Sequence, residues 1–172
     1  QLYDVLAGLF GAEAQEAPTG QADKARFESD MGQRHPLRIL LAEDNPVNQK
    51  LALRLLERMG YRADLAANGL EVLQALRRQP YDLVLMDIQM PEMDGLEASR
   101  TIGSEWPAGQ RPRIVAMTAN VMPEDRQECL AAGMDDFIAK PIRIEELVAA
   151  LARSRPRPGP APGQRRHQLF DP

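Results

Sequence analysis

The sequence is poor in the residues that build disulfide frameworks, membrane helices and nucleic-acid surfaces. Its single cysteine, Cys129, excludes an internal disulfide framework and a cysteine-based zinc site. No uninterrupted apolar run approaches the roughly 20 residues that a membrane-spanning helix requires. The net charge of −4 gives no whole-chain reason to expect nucleic-acid binding, and the lack of a glycine-rich phosphate loop argues against a nucleotide-binding enzyme. Aromatic residues make up only 5% of the chain, so we expect aliphatic side chains to build the core.

Composition separates a central domain from two flanks. Residues 37–153 carry strong repeating apolar patterns and are expected to form one folded domain. Residues 11–36 are mostly polar and are predicted to be a linker, whereas residues 154–172, rich in proline and arginine, are predicted to be disordered. Because the chain begins with Gln and no signal-type sequence follows, we expect it to be a piece of a longer protein.

The central domain alternates strand-length apolar runs with segments of helical spacing. Helices are predicted to begin at Pro46, Asn68, Asp94 and Pro123, and a last one to cover Arg143–Ala152. Five such units within about 115 residues predict an α/β fold, a doubly wound five-stranded parallel sheet with helices on both faces. The predicted strands are Arg38–Glu43, Ala63–Ala66, Asp82–Asp87, Ile114–Thr118 and Asp136–Ala139.

The first long helix, predicted over Pro46–Met59, has its apolar residues on one stripe, which is the pattern of a helix face that packs on a core. Leu53 lies off this stripe, roughly 200° around the helix from Leu51. We therefore expect Leu53 to be a candidate contact for partner helices. The stripe consists of Val47, Leu51, Leu55, Leu56 and Met59.

Polar residues stand where the predicted strands end. Glu43 and Asp44 follow the first strand, Asp87 ends the third, Thr118 ends the fourth and Lys140 follows the fifth. Each residue alone has an ordinary explanation, such as a helix start, a loop acid or a solvated lysine. In a doubly wound sheet, however, ligands bind at the carboxyl ends of the strands. The joint placement therefore predicts one site.

The residue types at these strand ends indicate the chemistry of the site. Clustered carboxylates repel one another and require a cation or a proton. Oxygen ligands without a nearby His or Cys indicate Mg²⁺. A Mg²⁺ ion beside a lysine and a threonine suits a phosphoryl group, which a carboxylate held in line with it can accept as an aspartyl phosphate.

Four sequence blocks, in order along the chain, resemble the response-regulator receiver domain, in the form that is fused to hybrid sensor histidine kinases. The resemblance covers residues 37–153 and implies a flavodoxin-like sheet with strand order 2-1-3-4-5. It also implies a function, the acceptance of a phosphoryl group in a two-component phosphorelay, within a parent chain that is a hybrid histidine kinase. The four blocks are Ala42–Gln49, Met86–Gly95, Met117–Asn120 and Phe137–Pro141.

The resemblance assigns a role to each site residue. Asp87 is implied as the phosphoacceptor, with Thr118 and Lys140 as the pair that binds the phosphoryl group. The implied Mg²⁺ ligands are the side chains of Asp44 and Asp87 and the backbone carbonyl of Gln89, with Glu43 acting through metal-bound water.

The resemblance also implies a conformational switch. Thr118 moves toward the phosphoryl group and Phe137 is the aromatic residue that turns inward in response. Many relatives have Tyr where this chain has Phe137, so a switch hydrogen bond through a phenol is unavailable here. The Lys140–Pro141 peptide bond is expected to be cis, as in the family.

The partners implied by the resemblance are proteins that carry a phosphohistidine. They are the dimerisation and phosphotransfer domain of a histidine kinase, or a histidine phosphotransfer protein. We expect no nucleic-acid partner, no membrane contact by this fragment, a monomer or weak dimer, and a cytoplasmic location.

Two other functions stay open from the sequence. The first is an aspartate-nucleophile phosphatase, but this chemistry normally requires a second acid two residues after the nucleophile, where this chain has Gln89. That difference leaves at most slow self-dephosphorylation. The second is a degenerate receiver that serves only as a scaffold, against which all five strand-end residues are present.

The first ten residues have a pattern of their own. Gln1–Ala7 can be aligned with Glu146–Ala152 of the last predicted helix, with identities at Leu2, Leu6 and Ala7. Residues 1–10 therefore resemble the final helix of a truncated upstream receiver-like domain. A generic amphipathic linker helix is the alternative.

Overall fold

The computed structural model describes residues 29–119 and 122–156 of the chain. Within these residues, a short initial helix is followed by five strands and five helices that alternate. The helices are α1 (Met31–Arg34), α2 (Pro46–Arg58), α3 (Gly69–Arg78), α4 (Gly95–Glu105), α5 (Pro123–Ala131) and α6 (Ile144–Arg153). The strands are β1 (Ile39–Ala42), β2 (Ala63–Ala66), β3 (Leu83–Asp87), β4 (Arg113–Thr118) and β5 (Asp136–Ala139).

The strands form one parallel sheet in the order β2-β1-β3-β4-β5. Leu41 of β1 pairs with Leu65 of β2 on one side and with Leu85 of β3 on the other. From β1 the chain adds β2 on one side and then returns to add β3, β4 and β5 on the other side, so the strand order reverses between β1 and β3. Ligands bind beside such a point. The predicted fold class and strand order are confirmed.

Apolar layers cover both faces of the sheet, because successive strand residues point to opposite sides. On one face, Ile39 and Leu41 of β1 pack in a cluster with residues of α1, α2 and α6. On the other face, Leu40 of β1 and Val84 of β3 pack with residues of α3, α4 and α5. All residues of β1 and β3 are buried, as expected for central strands of a parallel sheet.

Side-chain caps fix where three of the helices begin. The Oδ1 atom of Asn45 accepts a hydrogen bond from the amide of Val47 at 2.8 Å, and Asn68 accepts one from the amide of Glu71 at 2.9 Å. Asp94 caps α4 in the same way. Asn68 and Asp94 are helix starts that the sequence predicted, and Asn45 directly precedes the predicted start at Pro46. Asn and Asp are suited to this position because they satisfy the free amides of a first turn.

The stripe predicted on α2 is wrong in its first half. Val47 is 73% exposed and Leu51 43% exposed, whereas Leu56 and Met59 are buried and Leu53 packs partly against the core. The reason is length. Thirteen helical residues span about 20 Å, whereas the four residues of β1 span about 13 Å. The start of α2 therefore extends past the sheet, so Val47 and Leu51 are the exposed apolar residues of this helix rather than Leu53.

The structure describes ordered residues on both sides of the predicted domain. Helix α1 lies inside the predicted linker, and its Met31 is buried in the core. Ser154, where the disordered tail was predicted to begin, is fully buried. The predicted helix over residues 1–10 and the segment 157–172 lie outside the described residues. Among the helices of the described ranges, none is long and apolar enough to cross a membrane.

Candidate functional site

The carboxyl ends of four strands meet at one cleft of about 770 Å³. Glu43 and Asp44 follow β1, Asp87 ends β3, Thr118 ends β4, and Lys140 follows β5. All five residues line the cleft. The strand order brings them together, because β3 lies between β1 and β4 and β5 is next to β4.

Three acidic side chains of this cleft form a compact oxygen cluster. Each of Glu43, Asp44 and Asp87 offers one carboxylate oxygen, and these atoms lie within 4.8 Å of one another. Glu43 and Asp87 are buried, whereas Asp44 is exposed at the mouth of the cleft. A cluster of hard oxygen atoms that is open on one side suits a small divalent cation that keeps some of its waters.

Lys140 supplies the positive charge of the cleft. Its Nζ atom lies 2.9 Å from Oε2 of Glu43 and 3.1 Å from Oδ2 of Asp87. The backbone holds Lys140 in place, since its amide donates a hydrogen bond to the carbonyl of Thr118 at 2.8 Å. The following Lys140–Pro141 peptide bond is cis. One ammonium group thus bridges the two buried carboxylates.

The protonation of the two buried acids differs because their surroundings differ. Burial, together with the negative charge of Glu43, raises the pKa of Asp87 from 3.8 to about 6, although Lys140 opposes the shift. Burial also acts to raise the pKa of Glu43, but hydrogen bonds from Lys140 and from the amide of Asn45 outweigh it and lower this pKa. The pKa of Lys140 is raised, since the two carboxylates outweigh its burial. The cleft therefore favours an additional positive charge near Asp87.

Neighbouring groups of α2 and of the loop after β3 position the two acids. The side-chain amide of Gln49 donates to the backbone carbonyl of Glu43 at 2.7 Å, and the amide of Asn45 donates to Oε1 of Glu43 at 3.2 Å. The amide of Gln89 donates to Oδ1 of Asp87 at 3.4 Å. The role of Gln49 was not predicted, because nothing in the sequence shows that its side chain reaches back six residues.

Gly95 is a second residue at this site whose role was not predicted from the sequence. A Cβ atom at this position would lie 2.2 Å from the backbone oxygen of Asp87. The first residue of α4 therefore packs directly on the backbone of the central acid. A glycine just after the Asp94 cap was the available signal, since glycine is a poor helix residue unless close packing requires it.

Phe137 lies away from the cleft. It is half-buried on β5, and the guanidinium carbon of Arg126 lies 4.3 Å from the centre of its ring. Phe137 and Arg126 line a second groove between α5, β5 and α6. The structure thus separates Phe137 from the other predicted site residues.

Comparison with known proteins agrees with this geometry. Residues 39–152 match the family described as the response regulator receiver domain. Hybrid signal transduction histidine kinase K of Dictyostelium discoideum is 40% identical over 141 residues, which cover 75% of this chain. The chain spans only 12% of the length of that relative.

Two solved structures share the fold. The first is the receiver domain of a sensor histidine kinase from Pseudomonas aeruginosa, with a magnesium ion coordinated in the active site cleft. It is 44% identical, has a TM-score of 0.62, and covers 68% of this chain and 95% of its own. The second is a receiver domain of a response regulator from Saccharomyces cerevisiae, solved with a histidine phosphotransfer signaling protein. It is 28% identical, has a TM-score of 0.62, and covers 67% of this chain and 86% of its own. The chain belongs to the response-regulator receiver family of two-component signalling, in the form found in hybrid histidine kinases.

Proposed function

We propose that this chain accepts a phosphoryl group from a phosphohistidine onto Asp87. The observation that carries the proposal is the position of the Asp87 carboxylate, which is buried at an open cleft with an ammonium group 3.1 Å away. A buried carboxylate next to a fixed cation is a poor structural element, because its desolvation is only partly offset. It is well suited to a reaction in which negative charge arrives from the cleft.

The transfer requires little chemistry from the protein beyond positioning. A carboxylate oxygen of Asp87 attacks the phosphorus atom, the new P–O bond forms, and the P–N bond to the donor imidazole breaks. The imidazole leaves with the bonding electron pair and takes up a proton. Lys140 and Thr118, at the ends of the two neighbouring strands, bind the oxygens of the transferred group. Lys140 compensates its charge and Thr118 supplies a hydroxyl group.

The acidic cluster fits Mg²⁺. Asp44, Asp87 and the backbone carbonyl of Gln89 would hold the ion, which when bound neutralises charge on the phosphoryl oxygens. Glu43 fits an indirect role through water. Both of its carboxylate oxygens already accept hydrogen bonds from the protein, one from Asn45 and one from Lys140.

The exposed start of α2 is the surface we assign to the phosphodonor. Val47 and Leu51 lie one helical turn apart, just after the Asn45 cap that lines the cleft. A helical partner that lays apolar residues on them would bring a histidine to Asp87. The partner is the phosphotransfer domain of a histidine kinase or a histidine phosphotransfer protein, and this part of the chain acts in the cytoplasm as a monomer or weak dimer.

Asp87 phosphorylation is proposed to shift Thr118 and Phe137. The ring of Phe137 is half-buried and lies under Arg126 in the outer groove. Because Phe137 carries no hydroxyl group, only its packing and the contact with Arg126 distinguish its two positions. Its inward movement would empty part of that groove.

A phosphotransfer assay tests the proposed function. The 172-residue chain is mixed with a histidine phosphotransfer protein labelled on its histidine, in the presence of Mg²⁺. We expect the label to move to the wild-type chain but not to the Asp87→Asn variant. The matched control is Asp30→Asn, which neutralises a partly exposed acid outside the cleft and should accept label as the wild type does. Transfer to the Asp87→Asn variant at the wild-type rate contradicts the proposal.

The docking surface has its own control. Leu51→Asp should slow transfer from the protein donor while leaving phosphorylation by a small-molecule donor unchanged. Leu130→Asp places the same charge on a more exposed leucine, 58% against 43%, near the end of α5. Equal transfer rates for these two variants would show that α2 does not contact the donor.

A further inference from the structure

Residues 29–37 precede the segment that matches the receiver family, yet part of this stretch packs into the core of the domain. Met31 and Leu37 are buried in the same apolar cluster as Met59 of the α2 C-terminus and Leu151 of α6. Four residues of helix cannot be stable alone in water. The burial of Met31 therefore explains why α1 forms.

Two glycines allow α1 to lie directly on the turn after α2. The amide of Gly32 donates to the carbonyl of Met59 at 2.7 Å. A Cβ atom on Gly32 would lie 2.2 Å from the backbone oxygen of Gly60, and Gly60 itself has a φ of +83°. The approach is thus a backbone-to-backbone contact that no side chain at residue 32 would allow.

A buried tyrosine holds the end of residues 29–37, the segment through which the chain enters the domain. The hydroxyl group of Tyr61 donates a 2.6 Å hydrogen bond to the carbonyl of His35. Burial raises the pKa of Tyr61 to about 12, so this hydroxyl stays protonated and able to donate. Tyr61 stands just before β2, at the amino end of the strands and away from the cleft.

The side chain of His35 joins this segment to the outgoing chain. Its Nε2 atom is hydrogen-bonded to the carbonyl oxygen of Ser154, 119 residues later. Ser154 is fully buried. Its hydroxyl group donates to the carbonyl of Ala150 at 2.9 Å, and its amide donates to the carbonyl of Leu151 at 3.1 Å. The incoming and outgoing segments are therefore bonded to each other as well as to the domain.

We propose that residues 29–37 and Ser154 form a clasp, a structural device that fixes the incoming and outgoing segments of the chain side by side at the amino ends of the strands. The folding unit then includes residues 29–37 as well as the predicted domain. The phosphoacceptor lies at the other end of β3, about 13 Å or more away, so the clasp leaves the cleft open to a partner. Opening the clasp on one segment loosens the other.

Amide hydrogen exchange on the full 172-residue chain tests the clasp. Gly32→Ala puts a methyl group into the contact with Gly60 and should expel α1. The control is Gly109→Ala, because a Cβ atom there meets nothing within 4 Å. We expect exchange to quicken about tenfold or more in residues 29–37 and also in residues 151–156, which is the effect of losing one or two ordinary hydrogen bonds. Exchange around Asp87 should not change.

A second variant keeps the test decisive if Gly32→Ala does not fold. His35→Ala removes only the bond to Ser154, and it should quicken exchange in both segments while the chain stays folded. Wild-type exchange at residues 151–156 in either folded variant would overturn the proposal, since the two segments would then be independent. Equal behaviour of Gly32→Ala and Gly109→Ala would overturn it as well.

Discussion

The substitution Asp87→Asn should make the metal-free domain more stable near neutral pH, although it removes the proposed reactive group. Asp87 is buried beside Glu43, and its pKa is raised from 3.8 to about 6. Above that pH the folded protein holds an ionised carboxylate that water would solvate better. Asparagine has nearly the same shape without the charge, so the variant relieves this cost.

The magnitude follows from the size of the pKa shift. A shift of about two units corresponds to about 3 kcal/mol at 1.36 kcal/mol per unit. This net shift already contains the attraction of Lys140, which lies 3.1 Å away and which asparagine also loses. Because asparagine must bury a polar amide group at the same place, we expect a net gain of roughly 1–2 kcal/mol in the free energy of unfolding.

The direction of the pKa shift determines how the stability difference between wild type and Asp87→Asn changes with pH. Because the folded pKa is the higher one, the neutral form of Asp87 stabilises the fold fully below about pH 4, and this contribution is lost as the pH rises through about 6. The stability of the wild type relative to Asp87→Asn should therefore fall across this window and stay constant above it.

Urea unfolding in the presence of a chelator measures this difference directly. Wild type, Asp87→Asn and the control Glu57→Gln, which neutralises an exposed acid near the end of α2, are compared at several values between about pH 5 and 8. A variant that is less stable than the wild type near pH 8, or a difference that does not change with pH, would refute the reasoning. Mg²⁺ at about ten times its Kd should then stabilise the wild type by about 1.4 kcal/mol and the variant much less.

Three further substitutions have definite outcomes. Lys140→Met leaves Glu43 and Asp87 without their bridging cation, so it should lower the free energy of unfolding by about 2 kcal/mol near pH 8, measured by urea unfolding. An unchanged free energy of unfolding would contradict the proposed bridge. Gly95→Ala should cost about 2 kcal/mol and slow phosphorylation, because its methyl group meets the Asp87 backbone, whereas Gly103→Ala in the same helix should stabilise by up to about 1 kcal/mol. Asn45→Ala removes the α2 cap and should cost about 1 kcal/mol, with a smaller loss counting against the cap.

The fold was predictable because its signals are local. The caps Asn45, Asn68 and Asp94 and the short apolar runs each depend on a few neighbouring residues, and parallel strand ends necessarily meet at one edge. Glu43, Asp87 and Lys140 could therefore be brought together from the sequence, although they lie far apart along the chain.

The features that the sequence did not predict depend on how elements are placed in space. Periodicity counts Val47 as a core residue, but it does not show that α2 extends beyond the sheet. Helix α1 lies in a polar stretch and forms only because Met31 packs into an apolar cluster whose other residues lie far away in the sequence. Gly95 and Gln49 act through contacts with backbone atoms of the two acids, which no spacing rule reveals.

The measurement that tests the central claim most directly is the intact mass of the chain after incubation with Mg²⁺ and a small acyl phosphate. The acid cluster beside Lys140 predicts one phosphate adduct, which is absent without Mg²⁺ and absent in Asp87→Asn. The control Asp30→Asn should gain the adduct as the wild type does. An unmodified wild-type chain at millimolar Mg²⁺, or an adduct that persists in Asp87→Asn, would contradict the assignment of Asp87 as the phosphoacceptor.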